Sequence, residues 1–344
     1  MKRGNVSGYM PLAKKVFTGL VFCCAVICFI GCGNSKKENA DGKVTIGIAK
    51  IVQHEALDAV EQGIMDALDV RGIDAEYDLQ NANNDVNAAS QIAAQFKREQ
   101  VAAAVGIATP VAVALANAIT DIPVVFSVIT DPVGAGLVTT VEHGEGNVTG
   151  LSDAQPIPEH IALFKEIAGI KTLGYIYTSS EANSISALSL VEEACAAQGI
   201  NLVTQSITNS AEVRQAAEAI VGRVDGIYLT TDNTVFSAHP ALIQVFAENR
   251  KPAFSVDVTS AMDGGLMIAS GFNYYKAGLA TGDLVADILE GAKPAETPVR
   301  FITDPLQSDL VIDLDAAANC GITIPQKYVD MAGFVFTGGK METR

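Results

Sequence analysis

The sequence predicts an α/β protein of two lobes, each a parallel sheet covered by helices on both faces, and three observations carry that prediction. Apolar, β-branched runs of strand length alternate with segments of helical periodicity over short connections, the pattern of repeated strand-helix-strand units. The rhythm breaks once, across a glycine-rich stretch at 132–151, and then restarts. At 344 residues the chain is long enough for two cores, since a single core usually stops growing near roughly 250 to 300 residues.

The most informative stretch is 101–132, where an apolar run ends at Thr109-Pro110, a helical pattern follows, and a second apolar run ends at Thr130-Asp131-Pro132. Buried parallel strands read as continuous apolar runs. Their carboxyl ends, where helix N-termini present free N–H groups, are where open α/β sheets hold ligands. Ligand-binding loops are therefore expected at Thr109 and at 127–131. Ahead of this stretch, a strand at 44–51 runs through Gln53-His54-Glu55 into a helix over 55–72, with Ala56, Val60, Ile64 and Leu68 at helical spacing and Gly72 as a stop. A strand at 75–79 and a helix over 86–100, capped by Asn84-Asp85, complete the first unit.

The stretch 132–151 reads as a loop and a first crossing into the second lobe. There, helices at 158–168, 184–198, 211–221 and 238–250 alternate with strands at 172–178, 201–207, 226–231, 252–257 and 266–271. Polar turns recur at matching points, 178–181, 231–234 and 257–259. A long helix over 274–290 precedes a connection containing Pro294 and Pro298 and two short strand patterns, 299–303 and 310–312. Returning that helix to the first sheet and the tail to the second gives lobe one as 44–150 plus 272–298, and lobe two as 151–271 plus 299–339. Several crossings make a hinge, and the interface is where a ligand and a closing motion are expected.

The first 43 residues lie outside this fold. Lys14-Lys15 is followed by sixteen uncharged residues, 16–31, then Cys32 and a polar tract. A helix of that length spans about 24 Å, short of the roughly 30 Å hydrocarbon core, so an export signal fits better than a membrane span. Phe29-Ile30-Gly31-Cys32 resembles a bacterial lipobox, with Phe where Leu is usual. Residues 1–31 are accordingly read as a lipoprotein signal peptide, Cys32 as the lipidated residue and 32–43 as a tether, placing the protein outside the cytoplasm on a bacterial membrane. Cys23, Cys24 and Cys28 leave with the signal, so Cys195 and Cys320 remain, too few for a disulfide framework and read as buried thiols. Net charge is −16; four basic residues (Lys2, Arg3, Lys14, Lys15) and no acid precede Cys32, so the chain from Cys32 carries −20. Nucleic acid is an unsuitable partner for so acidic a surface.

Ordered motifs along 44–300 resemble those of bacterial ABC-transporter substrate-binding proteins of the type I periplasmic-binding fold, specifically the tryptophan/aromatic amino-acid group related to TrpX. They are Ile51-Val52-Gln53-His54-Glu55-Ala56-Leu57-Asp58, Ile107-Ala108-Thr109-Pro110, Thr130-Asp131-Pro132-Val133-Gly134-Ala135-Gly136-Leu137-Val138, Gly146-Asn147-Val148-Thr149-Gly150, Ser180-Glu181-Ala182-Asn183-Ser184, Thr231-Asp232-Asn233-Thr234-Val235 and Tyr274-Tyr275. The resemblance implies two Rossmann-like lobes, a small ligand held in the cleft, and delivery to an ABC permease driven by its ATPase.

An amino-acid ligand needs partners for a carboxylate, an ammonium and a side chain. None of the seven arginines after Cys32 falls in a turn at a strand carboxyl end, so the carboxylate is expected on hydroxyls and helix N–H groups, with Thr109, Ser127 and Thr130 as candidates. Thr109 alternatively caps its own helix before Pro110. Asp232 or Asp257 is the expected ammonium acceptor, the alternative for each being a helix cap. Ser180, Asn183, Ser184 and Asn233 are further polar candidates, while Asp131 reads as a turn residue and His54 as a rim or turn group. Tyr274, with Tyr177, Phe236 and Tyr275, walls an apolar or aromatic side chain or belongs to the core.

No G-x-S-x-G elbow, phosphate-binding G-x-x-x-x-G-K-[ST] loop, H-E-x-x-H or, after Cys32, C-x-x-C occurs, and the four histidines lack ligand spacing. No catalytic residue, metal or cofactor is expected. The competing readings are a ligand-sensing lipoprotein for another solute such as a nucleoside or sugar, and, less well supported, a lipid-anchored enzyme. The absence of Trp counts against sugar stacking.

Overall fold

The computed structural model describes residues 42–302 and 308–344. The expected signal peptide, Cys32 and the tether up to residue 41 lie outside the described residues. The chain forms β1 (Val44–Lys50), α1 (Glu55–Val70), β2 (Ala75–Asn81), α2 (Val86–Glu99), β3 (Ala103–Ile107), α3 (Thr109–Ala118), β4 (Val124–Ile129) and β5 (Val148–Ser152). It continues with α4 (Ile157–Ala168), β6 (Thr172–Thr178), α5 (Ala182–Gln198), β7 (Asn201–Ile207), α6 (Val213–Ile220), β8 (Gly226–Leu229), α7 (Asn233–Phe236), α8 (His239–Glu248), β9 (Ala253–Ser255) and β10 (Ile268–Phe272). The last elements are α9 (Tyr274–Leu289), β11 (Arg300–Phe301), β12 (Ser308–Asp313), α10 (Leu314–Asn319), α11 (Gln326–Met331), β13 (Phe334–Thr337) and β14 (Lys340–Thr343).

Two sheets result, each with its own core. The first runs β11-β5-β4-β3-β1-β2 and is parallel throughout. Its central β3 and β4 are buried at every residue, which is why both read as unbroken apolar runs. The edge strand β2 carries Glu76, Asp78 and Gln80 and is nowhere fully buried, as suits an edge that must not recruit another strand. The second sheet runs β14-β13-β12-β10-β9-β8-β6-β7. It is parallel from β7 to β10, but β12 runs antiparallel to β10 and β14 antiparallel to β13.

Three features depart from the sequence reading. Residues 132–151 are not all loop, because β5 pairs with β4 and belongs to the first sheet. The pattern expected at 299–303 in lobe two supplies β11, which pairs with β5 in the first sheet. The tail adds a hairpin past residue 339, with Gly338 and Gly339 both at positive φ (57° and 75°), the conformation a tight two-residue hairpin turn demands. Each departure involves a strand of two to five residues, too short for its pattern to fix both its existence and its sheet.

Helices start where side chains satisfy their first N–H groups. His54 Nδ1 accepts from Ala56 N at 3.3 Å ahead of α1, and Asp85 accepts from Asn87 N at 2.7 Å ahead of α2. Helices α1 and α9 pack backbone to backbone. A Cβ on Gly63 would strike the Tyr275 carbonyl, and one on Gly278 the Val60 carbonyl. This seam seats α9 against the first sheet, with its first residue, Tyr274, at the cleft. Gly278→Val should therefore lower stability by about 3 kcal/mol through overpacking, measured as a fall in the urea midpoint with an unchanged m-value.

Candidate functional site

A cavity lies where the carboxyl ends of the two sheets face each other, the place where open α/β sheets hold ligands. Lobe one contributes Val52, His54, Ala108, Thr109, Val128, Thr130 and Tyr274; the second lobe contributes Asn183, Thr231, Asn233 and Phe236. Asp153 sits at the crossing that follows β5. No Lys or Arg lines the cavity.

The backbone beside it is strained. Ala108, after β3, has φ 74°, and Val128, within β4, has φ 53°, a conformation in which a β-branched residue is a genuine outlier. The β4–β5 register also shifts between Phe126 and Ile129. Strain of this kind costs about 1 to 3 kcal/mol per residue and gathers at functional sites. One local result is the start of α3: Ala108 occupies the cap position, and no side chain caps the helix. Thr109 is buried and lines the cavity. The alternative in which its hydroxyl caps α3 is not what forms. The first N–H groups of α3 thus face the cavity region without a side-chain acceptor, an arrangement favourable to an anion.

Asp153 is the acid that sequence reasoning missed. It is fully buried and receives Thr130 Oγ1 at 3.4 Å and the Tyr274 hydroxyl at 3.3 Å. No ion pair among the described residues includes it. Burial pushes its pKa up to about 6, against those two hydroxyl bonds. Its position at a strand carboxyl end was hidden because β5 had been read as loop.

The two expected ammonium acceptors are differently engaged. Asp232 caps α7, with Oδ1 accepting from Thr178 Oγ1 (2.7 Å) and Val235 N (2.9 Å), and Oδ2 from Ser184 Oγ (2.6 Å) and Thr178 N (2.7 Å). Four donors of its own lobe occupy it, and it does not line the cavity. Burial and then neighbouring Glu181 push its pKa up to about 6. Asp257 is likewise buried away from the lining; it accepts from Thr259 N at 2.9 Å and from the Ser260 hydroxyl. Asp232 takes the cap alternative the sequence left open, whereas Asp257 caps no helix and builds a local turn. Glu181 is buried and binds Thr234 Oγ1 at 2.7 Å and Asn233 Nδ2 at 2.6 Å, tying the β6–α5 and β8–α7 turns together.

Of the other expected site residues, Thr109, Thr130, Asn183, Asn233 and Tyr274 meet around the cavity. Ser127 is buried beneath α9, 2.7 Å from Thr281 Oγ1, and Ser184 serves Asp232, while Ser180 is exposed. Seryl groups at strand ends cannot be sorted by sequence into lining and core. His54 stacks on Phe236 of the opposite lobe at 5.7 Å, and burial lowers its pKa while Asp257, 3.8 Å from Nε2, opposes that shift. Hydrogen bonds join the lobes directly. They include Asn84 Nδ2 to Thr234 Oγ1 (2.9 Å), Thr130 Oγ1 with Thr231 Oγ1 (2.7 Å), Ser186 Oγ to Asp131 Oδ2 (3.0 Å) and Ser260 Oγ with His54 Nε2 (3.5 Å).

A family model described as ABC transporter substrate binding protein matches residues 45–335. The chain belongs to this family. Its fold is the type I periplasmic-binding fold. The substrate-binding protein is 33% identical over 286 residues to a tyrosine-binding protein of Clostridioides difficile (strain R20291), covering 82% of each chain. Among solved structures, an ABC domain from Streptococcus pneumoniae in complex with L-Trp is 32% identical with a TM-score of 0.81, over 86% of this chain and 100% of that one. The ligand-free, open structure of a substrate-binding protein with adhesive properties from Clostridium difficile is 34% identical with a TM-score of 0.63, over 82% and 96%. At similar identity the chain superposes better on the liganded structure than on the open one, in keeping with its bonds across the cleft.

The acids should separate by mutation. Asp232→Ala strands four buried donors and should cost about 3 kcal/mol of stability, whereas Asp153→Asn, which removes a buried charge, should leave the thermal midpoint at pH 8 unchanged or higher.

Proposed function

We propose that this substrate-binding protein is the lipid-anchored, extracytoplasmic receptor of an ABC importer for an amino acid with an aromatic side chain. It closes its lobes on the ligand and presents it to the permease, and its role is capture rather than catalysis. The observation that carries this reading is Asp153, a buried carboxylate lining the cavity with two hydroxyl donors and no cation. An α-ammonium supplies the missing charge, and a charge-assisted hydrogen bond of that kind contributes about 1.5 to 3 kcal/mol. The ligand carboxylate goes to the uncapped N-terminus of α3, with the Thr109 hydroxyl beside it. Val52, Leu57, Val128 and Phe236 offer apolar walls for the side chain. The tyrosine- and tryptophan-binding relatives support the aromatic assignment.

Titration calorimetry of the mature domain against the twenty L-amino acids tests this directly. Tyr, Trp or Phe should bind, and Asp153→Asn should weaken that binding at least 100-fold, about 2.7 kcal/mol. Binding confined to other ligand classes, or an unaffected Asp153→Asn variant, sinks the assignment. The pH dependence has a definite sign. The ammonium binds the ionised carboxylate, so affinity is flat above about pH 6 and falls about tenfold per pH unit below it. The empty protein behaves oppositely. A carboxyl whose folded pKa is raised loses stability as pH climbs from about 4 to about 6.

Anchoring rests on Cys32 and the apolar run before it. Cys32→Ala should shift the protein from the membrane fraction to the soluble fraction of a cell lysate, and retention of the variant on membranes would count against lipidation at that site.

A further inference from the structure

Asn183 carries an acceptor that nothing in its own lobe uses. The side chain is buried, lines the cavity, and donates through Nδ2 to the Thr231 carbonyl at 2.7 Å and to Glu181 Oε2 at 3.2 Å. Both partners are acceptors, so the amide orientation is fixed and Oδ1 must point elsewhere. Oδ1 is buried and has no hydrogen-bond partner among the described residues. An orphaned buried acceptor is costly unless something else satisfies it.

A chain of contacts locates it relative to Asp153. Asp153 binds Thr130 Oγ1, that hydroxyl meets Thr231 Oγ1 at 2.7 Å across the cleft, and Asn183 holds the Thr231 carbonyl. A charged acceptor at the end of β5 and a neutral one on the second lobe thus lie at opposite ends of one short relay. An ammonium group has three N–H donors and can serve both.

We propose that Asn183 Oδ1 is a second acceptor for the ligand's ammonium, and that this group, held by Asp153 from one side and Asn183 from the other, is what draws the lobes together. The proposal rests on the amino-acid reading above. It gives closure a ligand-dependent cause, since a ligand shifts a conformational equilibrium only by what it contacts in one state and not in the other. Asp153 can engage an ammonium in an open protein. Asn183 reaches it only when the cleft shuts.

The test uses L-tyrosine and 3-(4-hydroxyphenyl)propionate, which lacks the amino group, against wild type, Asn183→Ala and Asn183→Ser. Asn183→Ser retains a hydroxyl for the Thr231 carbonyl should the alanine variant fold poorly. Affinities come from calorimetry, by competition for weak binding, and compaction from the radius of gyration by small-angle scattering at saturation. Expected is a 10- to 50-fold loss for tyrosine in both variants, less than 3-fold change for the deaminated acid, and loss of tyrosine-induced compaction. Equal losses for the two ligands, or full compaction of the variants at saturation, would overturn the proposal while leaving the amino-acid reading intact. If the wild type binds tryptophan or phenylalanine but not tyrosine, the same test is run with that amino acid and its deaminated analogue; failure of the wild type to bind any of the three removes that reading and this inference with it.

Discussion

A carboxylate buried without a cation is the constraint on which the cleft depends. Asp153 has two hydroxyl partners and a pKa near 6 instead of the ordinary 3.8, so keeping it ionised in the empty protein at neutral pH costs about 3 kcal/mol. Beside it, Ala108 and Val128 hold positive φ angles that the surrounding sheet enforces. Charge and strain both belong to residues that line the cavity. The remainder of lobe one supplies the stability that tolerates them: fully buried β3 and β4, and the glycine seam between α1 and α9.

The second lobe manages its acids in the opposite way. Asp232 is as deeply buried as Asp153 and titrates as high, yet it is met by four donors, and Glu181 beside it gathers amide and hydroxyl groups from α5 and α7. These acids set the shape of two turns. Rigid turns on that side are what allow Asn183 to be pinned by Nδ2 with its carbonyl oxygen left over.

Much of the fold was legible because parallel strands buried on both faces have no polar alternation to confuse them, and because Gly72, Gly169 and Gly199 end helices or their caps visibly. Strands β6 and β7 fall at the residues expected, 172–178 and 201–207. Strands β5 and β14 were not legible, being short, and β11 was legible as a strand but not as a member of the first sheet, because its partner β5 is far away in sequence. The site suffered from the same cause. Thr109, Thr130, Asn183, Asn233 and Tyr274, expected from turn chemistry at strand ends, do line the cavity, as does Asp153, which went unnoticed with its strand. Asp232 and Asp257 could not be sorted by sequence because an acid after a strand serves a turn and a ligand equally well; in the structure both are engaged by donors of their own lobe and neither lines the cavity.

The lobes are held closed by neutral groups for the most part. Amide and hydroxyl bonds join Asn84 to Thr234 and Thr130 to Thr231, one carboxylate accepts from Ser186, and His54 Nε2 approaches Asp257 across the cleft only to 3.8 Å. Such bonds contribute about 0.5 to 1.5 kcal/mol apiece. A clasp of that strength lets the dwell time of the shut form be set by the cargo rather than by the protein. A network of arginine–carboxylate bridges in the same place would hold the cleft shut whether or not it was filled.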